Sequence, residues 1–173
     1  GHKGLNGGTN PWNYRLNLNN SAAQSSANDY WGGSSNTGLP PTSTHFFLGS
    51  SWTESNANNN NYIAMLFASV AGISKVGSYT GSSYDVTINL GFTPRFLMVK
   101  AYNTSSGNQR WTVFDSLRGM GAGSNDNRMY LDDTQAQQTG DYITSVSATG
   151  ITMKTNFSYS NSNGNKYIYY AHA

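Results

Sequence analysis

Residues 56–68 read NANNNNYIAMLFA, and residues 161–173 read NSNGNKYIYYAHA. The two stretches align without a gap at an offset of 105 residues: Asn56 falls on Asn161, Asn58 on Asn163, Asn60 on Asn165, Tyr62 on Tyr167, Ile63 on Ile168 and Ala68 on Ala173. The match continues upstream, setting Phe46 on Ile151, Leu48 on Met153, Trp52 on Phe157 and Ser55 on Ser160. A fixed offset over so many positions predicts an internal repeat. It also predicts that 62–68 and 167–173 are equivalent interior strands.

Earlier in each unit the match weakens. Leu16 and Leu18, followed by Ala22-Ala23, resemble Tyr130-Leu131 followed by Ala136 at an offset of 113, and Asp29-Tyr30 resembles Asp141-Tyr142 at 112. The loop at 31–43, with Pro40-Pro41, is then seven or eight residues longer than its counterpart. The expected domains are 1–69, the C-terminal part of a first β-sandwich unit, and 70–173, a complete second unit. The first has no equivalent of 76–113. Its apolar side chains are thus left uncovered, which places Phe46, Ile63 and Phe67 at an assembly contact with another chain.

Only 10% of the 173 residues are charged, ten basic against eight acidic, for a formal net charge of +2. The basic residues are scattered, which argues against a nucleic-acid partner, since counterion release needs clustered Lys and Arg. No run approaches the ~20 apolar residues of a membrane span, so membrane insertion is not expected. Cysteine is absent, which removes disulfides, thiol chemistry and cysteine-based metal sites.

Nineteen Gly, twelve Tyr and four Trp with few helix-forming runs describe an all-β chain, and the aromatic content of 13% separates it from a disordered polar one. VTINL at 86–90 alternates as a half-buried strand does. FLMV at 96–99, WTVF at 111–114, YIAMLF at 62–67 and YIYYA at 167–171 are continuous apolar runs of strand length. Shorter strands are expected at 46–48, 129–131 and 151–153. The separators, GSS at 81–83, NTSSG at 103–107, GMGAG at 119–123 and the Asn tracts, are turn material. Many short strands with frequent turns predict tandem β-sandwich, jelly-roll-like units, the first one N-terminally truncated.

SVAGISKVGSYTGSS, INLGFTPRFLMVK, WTVFDSLRG and YIYYAHA resemble the repeat units of tail-fibre-like proteins from marine tailed phages, the cyanophages and their relatives. HKGLNGG, LNLNNSAAQSSANDYW and PPTSTHFFLGSS resemble the second half of a preceding unit, so the resemblance spans the whole chain. It implies a virion-surface, extracellular protein of β-sandwich type that attaches to a host and self-associates, as a homotrimer or a polymer. The implied partner is a host cell-surface polysaccharide or an envelope protein. The resemblance carries over no catalytic residues.

The residues agree with a protein that is not an enzyme. Glycoside hydrolysis needs two carboxylates facing across a sugar. Asp132 and Asp133 are adjacent and would point to opposite faces of a strand. Only Asp29 and Asp141 recur between the units, as turn or cap residues do. His2, His45 and His172 have no metal-ligand spacing, and SNDN at 124–127 lacks a calcium-loop pattern, so no metal and no cofactor is expected. Asp115 and Arg118 read as a local pair beside the Gly119 turn.

Aromatics shared by both units (Trp52/Phe157, Tyr62/Tyr167, Tyr30/Tyr142) are expected to pack the scaffold. Tyr84, Tyr102 and Tyr159, the last standing where the first unit has Glu54, are the candidate ligand-binding residues, because a tyrosine offers sugars an apolar face and a hydroxyl. The leading expectation is therefore a structural and adhesive module presenting loops for glycan attachment. The alternative is a subunit of an extracellular filament or matrix that functions by self-assembly. A polysaccharide depolymerase ranks third.

Overall fold

The computed structural model describes residues 1–26, 30–32, 38–49, 53–104, 109–121 and 123–173. Asp29, Trp52 and part of the 103–107 turn, all singled out above, lie outside the described residues. The chain divides into two compact units, Gly1–Leu16 with Gln24–Leu66, and Asn17–Ala23 with Phe67–Ala173.

The first unit has little regular structure. Strand β1 (Tyr14–Arg15) pairs antiparallel with β2 (Ser25–Ser26), and a single helical turn, α1, covers Thr53–Asn56. Side chains bonded to backbone replace an extensive sheet. The Trp31 indole donates to the Tyr14 carbonyl at 3.1 Å, and the Gly38 amide donates to Asn13 Oδ1 at 2.7 Å. A β-carbon at Gly38 would stand 2.0 Å from the Trp12 carbonyl oxygen, so only glycine fits that crossing.

The second unit is a pair of antiparallel sheets. One holds six strands: β3 (Ser74–Thr80), β5 (Phe96–Ala101), β6 (Thr112–Asp115), β7 (Asp126–Tyr130), β8 (Gln138–Gly140) and β11 (Lys166–His172), in the order β3-β11-β5-β6-β7-β8. The other holds β4 (Val86–Asn89), β9 (Ile143–Ser147) and β10 (Gly150–Met153), in the order β4-β10-β9. The inner faces meet. Leu97, Val99, Ala101, Phe114, Tyr167, Tyr169 and Ala171 of the first sheet pack with Ile88, Ile143, Ile151 and Met153 of the second. Each such large side chain removed from water contributes about 1.5–3 kcal/mol. The all-β, sandwich-like expectation describes this unit.

Strand β11 is central, with Tyr167 opposite Tyr79 on one side and Ala101 on the other. Its alternation explains its apolar composition. Tyr167, Tyr169 and Ala171 face the core, while Tyr170 and His172 stack outside it against Phe67, Phe96 and each other, at 4.6–6.3 Å. Farther along the outer face the segment 17–23 is tied down. The Trp111 indole donates to the Asn17 carbonyl at 2.8 Å, and the buried Lys100 ammonium donates to the carbonyls of Ser21 (3.2 Å) and Ala101 (2.8 Å). Burial lowers the Lys100 pKa to about 8, against a smaller opposing pull from Asp132.

The expectation of a second interior strand is corrected. Residues 61–69 form no strand, and Ile63 is 95% exposed and Leu66 75% exposed. The physical reason is a missing ladder. Residues 167–172 form a strand because β3 and β5 bond both edges of it, and 62–68 has neither partner among the described residues. Residues 46–48 likewise form no strand.

Candidate functional site

The most unusual chemistry lies where β7 meets the loops after β8 and β10. Asp126, fully buried, begins β7, and its carboxylate accepts from the amides of Gly121 (2.7 Å), Tyr142 (2.9 Å) and Ile143 (2.8 Å). Three backbone donors on one carboxylate pin the 141–143 corner against the strand. Two residues along, Arg128 points to the same side as Asp126, because strand side chains alternate. Its guanidinium carbon stands 4.3 Å from the centroid of the Tyr142 ring, 4.5 Å from Phe157, 4.5 Å from Tyr159 and 5.2 Å from Tyr130.

The rings are packed on each other. Tyr142 stacks on Phe157 at 4.2 Å, and Phe157 and Tyr130 each contact Tyr159 at 5.2 Å. Burial, and then a hydrogen bond with Tyr159, raise the Tyr130 phenol above its ordinary range, while the Arg128 charge opposes the rise. Arg110 also lies over the Tyr130 ring, at 5.6 Å, and is paired with Asp133 at 2.7 Å.

Arg128 itself has no anionic partner among the described residues. Its Nε and Nη1 atoms are buried and make no hydrogen bond, and no ion pair reaches it among the described residues. Ring quadrupoles offset part of that cost, about 0.5–2 kcal/mol per well-placed ring. They do not supply the in-plane acceptors that a guanidinium fork is shaped for.

The first unit contains a counterpart. Arg15 lies 113 residues before Arg128 and pairs in register with Ser25, as Arg128 does with Gln138, again 113 apart. Arg15 sits 5.1 Å from the Tyr30 ring, the counterpart of Tyr142. There, however, Nη1 meets the Glu54 carboxylate at 3.7 Å. Glu54 is the position that Tyr159 takes in the second unit, so the acid that answers the first arginine is replaced by a ring beside the second.

The loops that carry these residues are also built alike. The Tyr62 hydroxyl donates to the Thr53 carbonyl (2.8 Å) and accepts from the Ala57 amide (2.8 Å). The Tyr167 hydroxyl donates to the Ser158 carbonyl (3.0 Å) and accepts from the Ser162 amide (2.9 Å), every partner displaced by 105. Asn56 Nδ2 donates to the Gly49 carbonyl, and Asn161 Nδ2 donates to that of Lys154, each at 3.2 Å. A profile described as "Domain of unknown function (DUF7483)" matches residues 1–173.

The chain belongs to the DUF7483 family. No match was found among curated proteins or among solved structures. Within this DUF7483 chain the three tyrosines proposed for ligand binding fall in three different settings. Tyr159 is part of the ring cluster. Tyr84 is 80% exposed and outside it, though the Tyr84 carbonyl accepts from Asn161 at 2.9 Å. Tyr102 is 3% exposed, so it serves the core rather than presenting a face to solvent. The proposed assembly residues lie at the surface: Phe46 is 39%, Ile63 95% and Phe67 51% exposed.

The acids are engaged in structural contacts. Asp115 accepts from the Leu117 amide (2.8 Å), Asp132 from the Trp111 amide (3.0 Å), and Asp85 from the Thr155 amide (2.8 Å) and the Thr144 hydroxyl (2.5 Å). Asp141 pairs with Lys154. Among the described residues no three His, Asp or Glu side chains are grouped to hold a metal ion, and no helix is long and apolar enough to cross a membrane. Tyr159 is among the residues singled out from the sequence, and Arg128 is not. The signal was available, since the 113-residue offset that relates Leu18 to Leu131 also relates Arg15 to Arg128.

Proposed function

We propose that this chain is a non-enzymatic structural and adhesive module of a tail-fibre-like protein, acting at a virion surface and attaching to an acidic host-surface polysaccharide. The observation that carries the reading is Arg128, whose Nε and Nη1 have no acceptor among the described residues and whose guanidinium is set among four aromatic rings. A uronic or sialic acid matches it on both counts. Its carboxylate accepts from the guanidinium, and its pyranose C–H face lies on a tyrosine ring. A neutral sugar offers only the second contact. The engagement of the described carboxylates in backbone, hydroxyl and ion-pair contacts supports attachment without turnover.

The test is calorimetric titration of the chain with glucuronate-containing oligosaccharides and with neutral ones of equal length, alongside a reducing-end assay. The expected result is binding of the acidic series alone, lost in Arg128→Gln, with no new reducing ends. Equal binding of the neutral series, or binding that survives Arg128→Gln, overturns the assignment of the site. Chain cleavage makes the protein a depolymerase.

A second reading is a subunit of an extracellular filament or matrix that functions by self-assembly. It is favoured by the exposed apolar segment at 62–67. Discrete particles with a ligand separate the first reading from open polymers without one.

A further inference from the structure

Residues 62–70, YIAMLFASV, contain no charge and no proline, and all are exposed. Ile63 is 95%, Met65 70%, Leu66 75% and Phe67 51% exposed. So long an apolar stretch without a gatekeeper charge is strand material awaiting a partner.

The segment begins a hairpin that stops short. Val70 and Ser74 bridge across the turn with reciprocal 2.9 Å amide bonds. Ser74 Oγ donates to the Ala68 carbonyl at 2.8 Å, and Ser69 Oγ accepts from the Val76 amide at 3.0 Å. Beyond Ala68 the pairing ends. β3 is the terminal strand of its sheet, so from Gly77 to Thr80 its outer edge has no strand beside it among the described residues.

The sequence identifies what fits that edge. Residues 167–172, the counterpart of 62–67, already pair antiparallel with the inner edge of β3, Ile168 opposite Ser78. We infer that the segment Tyr62–Phe67 of one chain adds as a strand to the outer edge of β3 in a second copy, with Ile63 opposite Ser78. The exchange is reciprocal, because each copy carries both the segment and the edge, and a reciprocal contact closes as a two-fold dimer. It covers the apolar segment and the open edge in one step. This inference is independent of sugar binding at Arg128.

The test uses the whole chain. Light scattering from low to high micromolar concentration is expected to follow a monomer going over to a dimer, with the 62–67 amides gaining hydrogen-exchange protection in parallel. Ile63→Lys with Leu66→Lys places charges at positions that touch little in the monomer. It is expected to weaken association by about 100-fold, since each lost apolar burial is worth roughly tenfold. The chain has no cysteine. Mixing Ile63→Cys with Ser78→Cys protein is therefore expected to give a disulfide-linked heterodimer.

A chain that stays monomeric at high micromolar concentration overturns the inference, whether or not 62–67 is protected. Association that persists in the double lysine variant also overturns it. So does cross-linking of Ile63→Cys only to itself, which assigns the contact to segment against segment.

Discussion

Arg15 and Arg128 stand 113 residues apart, each on a strand, each over a tyrosine ring, and among the described residues only one of them faces a carboxylate. Arg15 has Glu54 at 3.7 Å. Arg128 has Tyr159 in that place, at 4.5 Å, with Phe157 and Tyr130 closing around it. The first arrangement is an ordinary ion pair near the surface, of the kind worth about 0–1 kcal/mol. The second leaves buried N–H groups unanswered, at a cost of about 1–3 kcal/mol for each such group. Two arginines at corresponding sequence positions thus differ in whether an acid answers them among the described residues. Glu54 against Tyr159 is one difference between them, and Tyr130 is another, since the residue 113 before it is Asn17.

The largest effect expected between the units comes from Lys100, in the 76–113 stretch with no counterpart in the first. Its pKa is about 8 in the folded chain, below the 10.5 of an exposed lysine. Between those values the unfolded chain holds a proton that the folded chain does not, so stability rises with pH. The gain is about 3 kcal/mol by pH 10. Above that, burial holds the phenols of Tyr79, Tyr167 and Tyr169 protonated in the folded chain, and stability falls again. Urea titrations across alkaline pH check this, and Lys100→Met is expected to flatten the rise. A rise that survives in that variant removes Lys100 as its source.

Next in size, Tyr159→Glu gives the second site the acid that stands beside Arg15 in the first. Supplying the carboxylate internally is expected to lower acidic-oligosaccharide affinity by about 100-fold, the worth of a charge-assisted contact of roughly 3 kcal/mol. It is also expected to raise the unfolding midpoint slightly. Unchanged affinity by calorimetry breaks the comparison at its centre.

The smallest effects test whether the matched tyrosine clasps are equal in energy as well as in geometry. Tyr167 is fully buried and Tyr62 is 45% exposed. Tyr167→Phe leaves a buried carbonyl and amide unpaired and is expected to cost about 1–3 kcal/mol. Tyr62→Phe lets water take over those bonds and is expected to cost less than about 1 kcal/mol. Equal losses in denaturant unfolding would show that burial does not separate the two clasps.

The sheet strands were legible where alternation or apolar runs coincide with ladder partners, as in 86–89, 96–101, 112–115 and 167–172. The reading failed at 62–67. That run carries every strand signal that 167–172 carries, but a strand also needs hydrogen-bonding neighbours, which local sequence does not contain. Of the site, Tyr159 was legible as a substitution between matched positions. Arg128 was not, because a charged residue on a strand reads as a solvated face until rings from its own strand and from two separate loops are seen to surround it. Tyr102 failed for the opposite reason. It sits beside a turn-rich tract, and its ring turns back into the interior.

The placement of β11 has a mechanical consequence. The strand at the C-terminal end of the chain lies between β3 and β5 rather than at a rim of its sheet. A pull on Ala173 along the strand therefore loads both flanking ladders in shear, so their hydrogen bonds share the force instead of opening one after another. The Tyr167 hydroxyl, clasped to Ser158 and Ser162 at the strand's other end, adds a stop against sliding.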